Sequence, residues 1–430
     1  MSTELLAIIG IIVLIILLFL RMWIGMAMII VGFVGFAIVR GLMPALSMIA
    51  QLPFQNVNNY PLTTIPLFVF MGVVLFNTGI GKDLYDAGYA WVGSLRGGLA
   101  MATVVACAIF GAITGISAPA LVTMGKVAIP EMKKHGYSDS FACGSVACSG
   151  TLAILIPPSI PLILYGILTQ NSVGKLFMAG IIPGILLSVL FIAVIVVWTR
   201  INPAIGPAGP KTTWKRKIVS TGNIWPTILL VLLVLGGIYG GIFSPTEAGA
   251  IGAFGTCVIT ALMRRLNFKI FTDSLLEATR MTAFIALLIT GAYVMSKFFA
   301  VSGLPALLSE TLTGMHAPGL VLFFLIVLYL ILGMVLDIMS AVLVTIPVVY
   351  PIIIALGFDP IWFGIMLTIL TQMGLVTPPV GLDVFVLGGS IKVPLYTIFK
   401  GVTPFVIMDL VCIIILIFFP QVATWLPSTM

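Results

Sequence analysis

Long apolar runs without charged residues constrain this chain more than any other feature of its sequence. Many of them approach or exceed the roughly 20 residues that an α-helix needs to cross a bilayer. Of the 430 residues, 61% are hydrophobic and 8% are charged, and the mean hydropathy is +1.26. A water-soluble domain carries about 25% charged residues. The sequence therefore predicts an all-α polytopic integral membrane protein that lies in a lipid bilayer.

The apolar runs divide into ten predicted crossings and two longer segments. The crossings lie near 4–20, 23–39, 61–79, 141–169, 175–199, 223–243, 246–263, 279–297, 361–387 and 400–419. Segments 97–130 and 317–355 are too long for one crossing. Small or polar residues interrupt them, at 113–120 (ITGISAPA) and 336–341 (LDIMSA). We interpret each segment as a re-entrant helical hairpin whose two ends lie on the same side of the membrane.

The distribution of basic residues is consistent with this arrangement. Under it, sixteen of the 20 Lys and Arg residues fall on one side of the membrane. Arg40, Lys175 and Lys297 fall on the other side, and Lys126 falls inside the first hairpin. Short cytoplasmic loops are enriched in Lys and Arg, so the basic side is predicted to be cytoplasmic. The net charge of +7 is then a matter of topology, and no nucleic-acid partner is expected.

The chain also matches itself at a nearly constant offset of 221 or 222 residues. The matches are LVT at 121–123 and 343–345, Pro130 and Pro351, Gly136-Tyr137 and Gly357-Phe358, Phe141 and Phe363, and LIPPS (155–159) and VTPPV (376–380). Each copy therefore contains a hairpin followed by a crossing that two prolines interrupt. Five predicted crossings separate the hairpins, and an odd number gives the copies opposite orientations. The sequence predicts an inverted-topology repeat, an architecture common in secondary transporters.

The repeat and the loops divide the chain into six predicted units. They are 1–96, N-terminal scaffold helices with an interfacial arm; 97–199, the first repeat; 200–222, a basic cytoplasmic linker; 223–316, scaffold helices and a second arm; 317–398, the second repeat; and 399–430, a C-terminal span. The two hairpins and the two broken helices would form a transport domain.

The proline pairs raise a chemical question, because proline lacks the N–H that a helix needs. Carbonyls near Ala153 and Ile154, and near Gly374 and Leu375, would lose their normal helical partners, and in lipid they must find others. Carbonyl and hydroxyl oxygens suit a hard cation such as Na⁺. The N-terminal ends of the helices at the same breaks would suit an anion. The alternative is that the prolines and glycines only kink packed helices.

The sequence does not fully decide the roles of four charged residues. Asp337, in the second hairpin, is predicted to face an ion, to cap a helix, or to do both. Asp383 follows the second break and is a candidate to pair with a cation. Lys126 would contact a substrate carboxylate or extend to the cytoplasmic surface. Glu247, three residues after Ser244, predicts a capping box, with contact to substrate as the alternative.

The sequence contains few of the residues that nucleotide hydrolysis, a histidine-rich metal site or enzymatic catalysis would require. There is no G-x-x-x-x-G-K-[ST] nucleotide loop, so transport would depend on an ion gradient or a partner. The two histidines, His135 and His316, fall in loop-like positions, and the five cysteines contain no C-x-x-C pair. We therefore do not expect an enzyme.

Five segments together resemble the large membrane subunit of tripartite ATP-independent periplasmic (TRAP) transporters. They are GAITGISAPALVTMGKVAIPEMKKHGY, ILIPPSIPLILYG, SPTEAGAIGA, DIMSAVLVTIPVVYPIIIALGFDPIWFG and GLVTPPVG. The resemblance implies an elevator-type importer of carboxylates, such as a sialic acid or a C4-dicarboxylate, in the bacterial inner membrane. It further implies coupling to Na⁺, a periplasmic solute-binding protein and a small four-helix membrane subunit as partners.

The resemblance also implies where ions and substrate bind. The first Na⁺ site maps to Gly115, Ser117, Gly150, Ala153 and Pro157, and the second to Asp337, Ser340, Gly374, Thr377 and Gly381. Substrate would lie near Ser117, Ala118, Pro158 and Pro379. Three alternatives remain. A stand-alone sodium–dicarboxylate symporter would be expected to show Ser-Asn-Thr tips, which do not occur here. An intramembrane enzyme would need a nucleophile or metal ligands at depth, and a passive channel would not need two opposed hairpins.

Overall fold

The ordered structure of this chain is helical. The computed structural model describes residues 2–314 and 316–430; Met1 and Met315, which fall in the predicted units 1–96 and 223–316, lie outside the described residues. Those ranges contain twenty α-helices and two short 3₁₀ helices, Tyr60–Thr63 and Pro203–Ile205. The predicted all-α class is confirmed.

The first half of the chain contains ten of the helices. They are α1 (Thr3–Phe19), α2 (Ile24–Arg40), α3 (Leu42–Val57), α4 (Thr64–Asn77), α5 (Ile80–Val92), α6 (Gly98–Thr114), α7 (Ser117–Lys134), α8 (Asp139–Leu155), α9 (Ile160–Thr169) and α10 (Val173–Ile201). Helices α6 and α7 form the first hairpin, and α8 and α9 are the halves of the first broken helix. Helix α3 was not predicted, because its polar residues and Pro53 keep it below the hydrophobicity of a crossing.

The second half repeats this order after a helical connection. Its helices are α11 (Trp214–Tyr239), α12 (Pro245–Leu262), α13 (Phe268–Ser302), α14 (Leu304–Gly314), α15 (Pro318–Val335), α16 (Ile338–Ala355), α17 (Pro360–Val376), α18 (Leu382–Ile391), α19 (Leu395–Phe418) and α20 (Gln421–Ser428). The predicted crossing 279–297 is the central part of the 35-residue helix α13. The predicted linker 200–222 is largely helical at its end, since α11 begins at Trp214.

Eight helical stretches are long and apolar enough to cross a membrane, judged by length and composition. They are Tyr60–Asn77, Asp139–Thr169, Val173–Ile201, Trp214–Tyr239, Phe268–Ser302, Pro318–Val335, Ile338–Ala355 and Leu395–Phe418. Helices α1, α2, α6 and α17 are apolar but 17 residues long. Both helices of the second hairpin are among the eight. Length and composition therefore do not distinguish a re-entrant helix from a crossing. The re-entrant interpretation depends on the position of the hairpin tips beside the broken helices.

Side chains satisfy the free N–H groups at several helix starts. At α12, the backbone N–H of Ser244 donates to Glu247 Oε2 at 2.7 Å, and the N–H of Glu247 donates to Ser244 Oγ at 3.3 Å. The predicted capping box is confirmed. At α17, Asp359 accepts from the N–H groups of Ile361 and Trp362 at 2.8 and 2.9 Å. Both caps use side chains that are favoured at helix starts.

The internal duplication extends from the sequence to the packing of the helices. A Cβ atom added to Gly111 of α6 would lie 2.4 Å from the Cα of Ala153 in α8. A Cβ atom added to Gly374 of α17 would lie 2.4 Å from the carbonyl carbon of Gly333 in α15. These pairs correspond at the 221 to 222 residue offset. In each repeat, therefore, the first hairpin helix and the first half of the broken helix pack backbone against backbone through small residues.

Each hairpin also packs against the broken helix of the opposite repeat. Gly125 of α7 lies against Leu387 of α18, where an added Cβ would be 2.8 Å from the Leu387 side chain. In the reciprocal contact, Tyr350 of α16 stacks edge-on against Tyr165 of α9, with ring centroids 6.5 Å apart. Since these contacts are exchanged between repeats, the two hairpin tips and the two breaks come together at one place.

Candidate ion and substrate site between the two hairpins

The tip of the first hairpin lies directly on the first break. Helix α6 ends at Thr114, Gly115 adopts a left-handed conformation with φ 64°, and α7 begins at Ser117. The N–H of Ile160 donates to the Gly115 carbonyl at 3.4 Å, and a Cβ on Gly115 would lie 2.4 Å from the Pro158 oxygen. Glycine is needed here both for the positive φ and for this close approach.

At the first break a side chain replaces a backbone donor. Helix α8 ends at Leu155, and Pro157 and Pro158 are joined by a cis peptide bond. The Ser159 hydroxyl donates to the Ile154 carbonyl and accepts from the Leu162 N–H at 3.4 Å. The Ile154 carbonyl thus lacks its helical donor, as the sequence predicts, and a side-chain hydroxyl takes the place of the missing amide.

At the second hairpin tip, Asp337 is a helix cap. Helix α15 ends at Val335, and Leu336 and Asp337 are extended before α16 begins at Ile338. The Asp337 carboxylate accepts from the Ser340 N–H at 3.2 Å and from the Ser340 hydroxyl. The predicted cap is confirmed, and the predicted pair Asp337 and Ser340 is in direct contact.

The second break is built in the same way with different side chains. Helix α17 ends at Val376, and Pro378 and Pro379 are again joined by a cis peptide bond. The Thr377 hydroxyl donates to the Met373 carbonyl at 2.6 Å, while its N–H donates to the Gly374 carbonyl at 3.0 Å. The Gly374 carbonyl, which the sequence predicts to lose its normal helical partner, therefore accepts from the Thr377 N–H in place of the N–H that Pro378 lacks.

A further backbone contact ties the second break to the second hairpin. Gly381 is left-handed, with φ 64°, and its N–H donates to the Met334 carbonyl of α15 at 3.4 Å. The donor, Gly381, corresponds to Ile160 of the first repeat at the 221-residue offset, and like Ile160 it binds a main-chain carbonyl of its own repeat's hairpin. In both repeats the hairpin and the break are held together by main-chain atoms.

A cavity of about 410 Å³ lies between the two hairpin tips and the two breaks. Gly115, Ser117 and Ala118 line it from the first tip, and Asp337 lines it from the second. The breaks contribute Ile154, Pro161, Leu375, Leu382 and Asp383, and α13 contributes Met281, Phe284 and Ile285. The cavity thus joins the two regions that the sequence treats as separate sites.

Asp383 and Ser117 connect the repeats inside this cavity. The Ser117 hydroxyl of the first hairpin donates to Asp383 Oδ1 of the second broken helix at 3.3 Å. The side chain of Asp383 is 4% exposed, and its Oδ2 atom has no hydrogen-bond partner in the described part of the chain. A buried carboxylate oxygen without a donor is costly unless a cation or a proton reaches it.

The charged residues that line the cavity in the described ranges are all acidic. Asp337 and Asp383 both line it, and the lining residues in the described ranges include no Lys, Arg or His. The rest of the surface is mainly aliphatic, aromatic and thioether groups. Such a site can bind cations through its carboxylates and oxygen atoms, and ionised carboxylates there would repel an anion that enters alone.

The predicted site residues take different places around this cavity. Gly115, Ser117, Ala118 and Asp337 line it. Gly150 packs against Leu121. Ala153, Pro157, Pro158, Ser340, Gly374, Thr377, Pro379 and Gly381 belong to the tips and breaks behind the lining. Pro157 and Pro158 are buried, whereas Pro379 is exposed, so the second break is the more open one.

Some lining residues were not predicted. The sequence predicts Asp383 as a candidate partner for a cation, but Asp383 belongs to neither predicted ion site. A carboxylate in an apolar segment is itself an indication of function. The three lining residues of α13 are all apolar, so the sequence does not distinguish them from residues that face lipid. Lys126 does not line this cavity; it lies in a separate one with Lys82 and Lys134.

The inverted hairpins, the broken helices and the shared cavity define a polytopic membrane transporter of the inverted-repeat class. The family model described as "Tripartite ATP-independent periplasmic transporter, DctM component" matches residues 11–422. The chain belongs to this family of TRAP transporter large permeases, and the family resemblance seen in the sequence is confirmed.

Relatives with known names support the family and differ in the substrates they are named for. The chain is 34% identical over 377 residues to the C4-dicarboxylate TRAP transporter large permease protein DctM of Pseudomonas aeruginosa, covering 87% of this chain and 88% of that protein. It is 32% identical over 398 residues to the ectoine/5-hydroxyectoine TRAP transporter large permease protein UehC of Ruegeria pomeroyi, covering 92% of each. It is 30% identical over 385 residues to the isethionate TRAP transporter permease protein DctMQ of Oleidesulfovibrio alaskensis, covering 87% of this chain and 59% of that protein. These relatives are transporter permeases rather than enzymes.

A solved structure shares the fold. The crystal structure of the Alcanivorax borkumensis YdaH transporter, described as having an unusual topology, superposes with a TM-score of 0.61 at 15% sequence identity. The match covers 90% of this chain and 89% of that chain. At this identity the likeness concerns the arrangement of helices alone.

Proposed function

We propose that this chain is the membrane permease of a sodium-coupled secondary active importer of an organic anion. It would act in the bacterial inner membrane with a small four-helix membrane subunit, and it would receive its substrate from a periplasmic binding protein. The observation that carries the proposal is the cavity between the hairpin tips, which has two carboxylates and no basic side chain among its described lining residues.

The charge of this cavity supports coupling to Na⁺. Ionised carboxylates at a low-dielectric site repel an entering anion, and the repulsion grows as water is excluded. Bound cations would remove it. Asp337, Asp383 and Ser117 offer oxygen atoms, which are the ligands that hard cations prefer. Anion binding would then require prior binding of Na⁺, which is the thermodynamic basis of symport.

The packing supports an elevator motion. The hairpins and broken helices are interlocked by reciprocal contacts, such as that between Gly125 and Leu387, and can move as one body. On the other side of the cavity lies α13, which packs mainly along α2 and α4 and meets the second hairpin at α16. A cavity at the boundary between two such groups of helices would be carried across the membrane if one group slides past the other.

The lining also bears on the substrate class. Most of the lining is apolar, including Met281, Phe284 and Val386, and the described lining residues offer no guanidinium or ammonium group for a second carboxylate. We favour a substrate with one acidic group and an apolar body over a C4-dicarboxylate. Some relatives in the family are named for isethionate or ectoine, which are not C4-dicarboxylates.

The face opposite the basic residues offers a place for substrate delivery. A cavity of about 320 Å³ lies there, lined by Asn59, Tyr60, Gln170 and Asn171 among others. Its polar amide groups would suit a transient contact with a soluble binding protein, since transient interfaces are more polar than permanent ones.

Thermal unfolding of the purified chain tests the proposal. In sodium chloride the protein should unfold at a higher temperature than in choline chloride of equal ionic strength. The stabilisation would be about 2.7 kcal/mol at a hundredfold excess of Na⁺ over its Kd. Thr377→Ala should reduce the sodium-specific difference, because Thr377 shapes the second break.

Thr368→Ala is the matched control. Thr368 lies in α17, which ends directly before Thr377, is buried, and donates to the Gly364 carbonyl at 2.8 Å, as Thr377 donates to Met373. It should lower stability equally in both salts. Identical unfolding of the wild type in the two salts would contradict sodium coupling through this chain.

A further inference from the structure

A second polar cavity lies on the basic side of the molecule, away from the hairpin tips. It has a volume of about 450 Å³ and is enclosed by α5, α7 and α11. Its charged lining residues are Lys82, Lys126, Lys134, Arg216, Asp86 and Glu131. It therefore lies between α7, the second helix of the first hairpin, and the helices α5 and α11, which do not belong to either hairpin.

The charges in this cavity are not balanced. Lys134 Nζ lies 3.2 Å from Glu131 Oε2, so these two residues pair. Lys82, Lys126 and Arg216 make no ion pair in the part of the chain that the structure describes. Only the Asp86 carboxylate opposes them within the lining. Three cations that face one carboxylate attract an anion.

A buried donor points to the same ligand chemistry. Tyr85 lines the cavity, is 2% exposed, and its hydroxyl has no hydrogen-bond partner within the described ranges. Burial, assisted by the nearby Glu131, raises the pKa of Tyr85 well above its usual range, so the phenol remains a donor. An unpartnered buried hydroxyl is costly, and an acceptor on a ligand would remove that cost.

Arg216 is held where it can donate. Its guanidinium carbon lies 5.7 Å from the centroid of the Tyr89 ring, a cation–π distance. Arg216 also lines the cavity and makes no ion pair in the described part of the chain, so its N–H groups can donate to the oxygen atoms of a ligand. Arg and Lys donors arranged in this way are typical of phosphate recognition.

We propose that this cavity binds a phosphate-bearing anion. The phosphate oxygens would accept from the Tyr85 hydroxyl and the Arg216 guanidinium, with Lys82 and Lys126 supplying further positive charge. Several donors from three helices fit the several oxygens of a phosphate better than the two of a carboxylate. The phosphate can belong to a soluble anion or to the headgroup of an anionic lipid, since basic pockets on the cytoplasmic side bind such headgroups.

The full-length chain can distinguish the two sources. In detergent without added lipid, unfolding is followed in inorganic phosphate and in chloride at equal ionic strength. In nanodiscs, phosphatidylglycerol is compared with phosphatidylcholine. Stabilisation by inorganic phosphate supports a soluble anion, and stabilisation by phosphatidylglycerol alone supports a lipid headgroup. No stabilisation in either arm overturns the proposal.

Variants locate the effect. Arg216→Gln and Lys126→Gln should each weaken binding roughly tenfold. Lys269→Gln, which removes an exposed charge from the same side but outside the cavity, should leave binding unchanged. Tyr85→Phe keeps the buried ring and should weaken binding while leaving stability without the anion unchanged or higher. Equal weakening by Lys269→Gln, or no weakening by both Arg216→Gln and Lys126→Gln, overturns the proposal.

Discussion

Asp337 combines two roles that one residue change can separate. Its carboxylate caps α16 by accepting from the Ser340 N–H, and it also lines the cavity between the tips. Asparagine caps a helix as well as aspartate does, but it carries no charge. Asp337→Asn should therefore unfold like the wild type in choline chloride and lose most of the stabilisation by sodium.

Asp337→Ala provides the comparison for this prediction. It removes both the cap and the charge, so it should lose the sodium response and also about 1 kcal/mol of stability in choline. Thermal unfolding of the two variants in both salts measures the difference. If Asp337→Asn kept the full sodium response, Asp337 would be a cap only.

At the scale of the element, the breaks and hairpins depend on close helix packing. Gly374→Ala would place a methyl group 2.4 Å from the backbone of Gly333 and force α15 and α17 apart. Overpacking of this kind costs about 1–3 kcal/mol. We expect Gly374→Ala to lower the unfolding temperature, and to lower the sodium response because the second break moves.

Gly236→Ala is the control for that packing effect. Gly236 lies inside α11, and an added Cβ there meets no atom within 4 Å. Alanine is favoured over glycine in a helix by up to about 1 kcal/mol, so this variant should be as stable as the wild type or more stable. Equal destabilisation by both changes would show that packing between α15 and α17 is not the cause.

Sequence patterns predicted these elements because they depend on local chemistry. Proline pairs end α8 and α17, and the small or polar residues at 113–120 and 336–341 contain the hairpin tips. The patterns did not predict α3, nor that the hydroxyls of Ser159 and Thr377 would bind the carbonyls at the breaks. Those bonds depend on how the chain turns after each proline pair, which residue spacing does not determine.

At the scale of the whole molecule, long-range contacts escape prediction for a related reason. Ser117 and Asp383 are 266 residues apart and meet only because each hairpin packs against the opposite broken helix. The internal repeat predicts two similar units, but not which faces of those units meet. The cavity that joins the regions of the two predicted sites follows from that contact.

The charge of the whole cavity leads to a prediction about substrates. In sodium, monocarboxylates should stabilise the purified chain more than dicarboxylates of the same carbon number, because the described lining offers no basic side chain for a second carboxylate. Thermal unfolding with matched pairs of acids four to eight carbons long, on the order of the cavity size, would measure this. Greater stabilisation by the dicarboxylates would contradict the proposed substrate class.

The most direct test of sodium coupling is equilibrium binding of radioactive sodium to the purified chain. We predict saturable binding that choline does not compete with. Asp383→Asn should weaken it strongly, because the buried Oδ2 of Asp383 has no other partner in the described structure. Asp359→Asn, which changes an acidic helix cap outside the cavity, should bind sodium like the wild type. Binding that never saturates, or that is the same in Asp383→Asn as in the wild type, would contradict a sodium site between the hairpins.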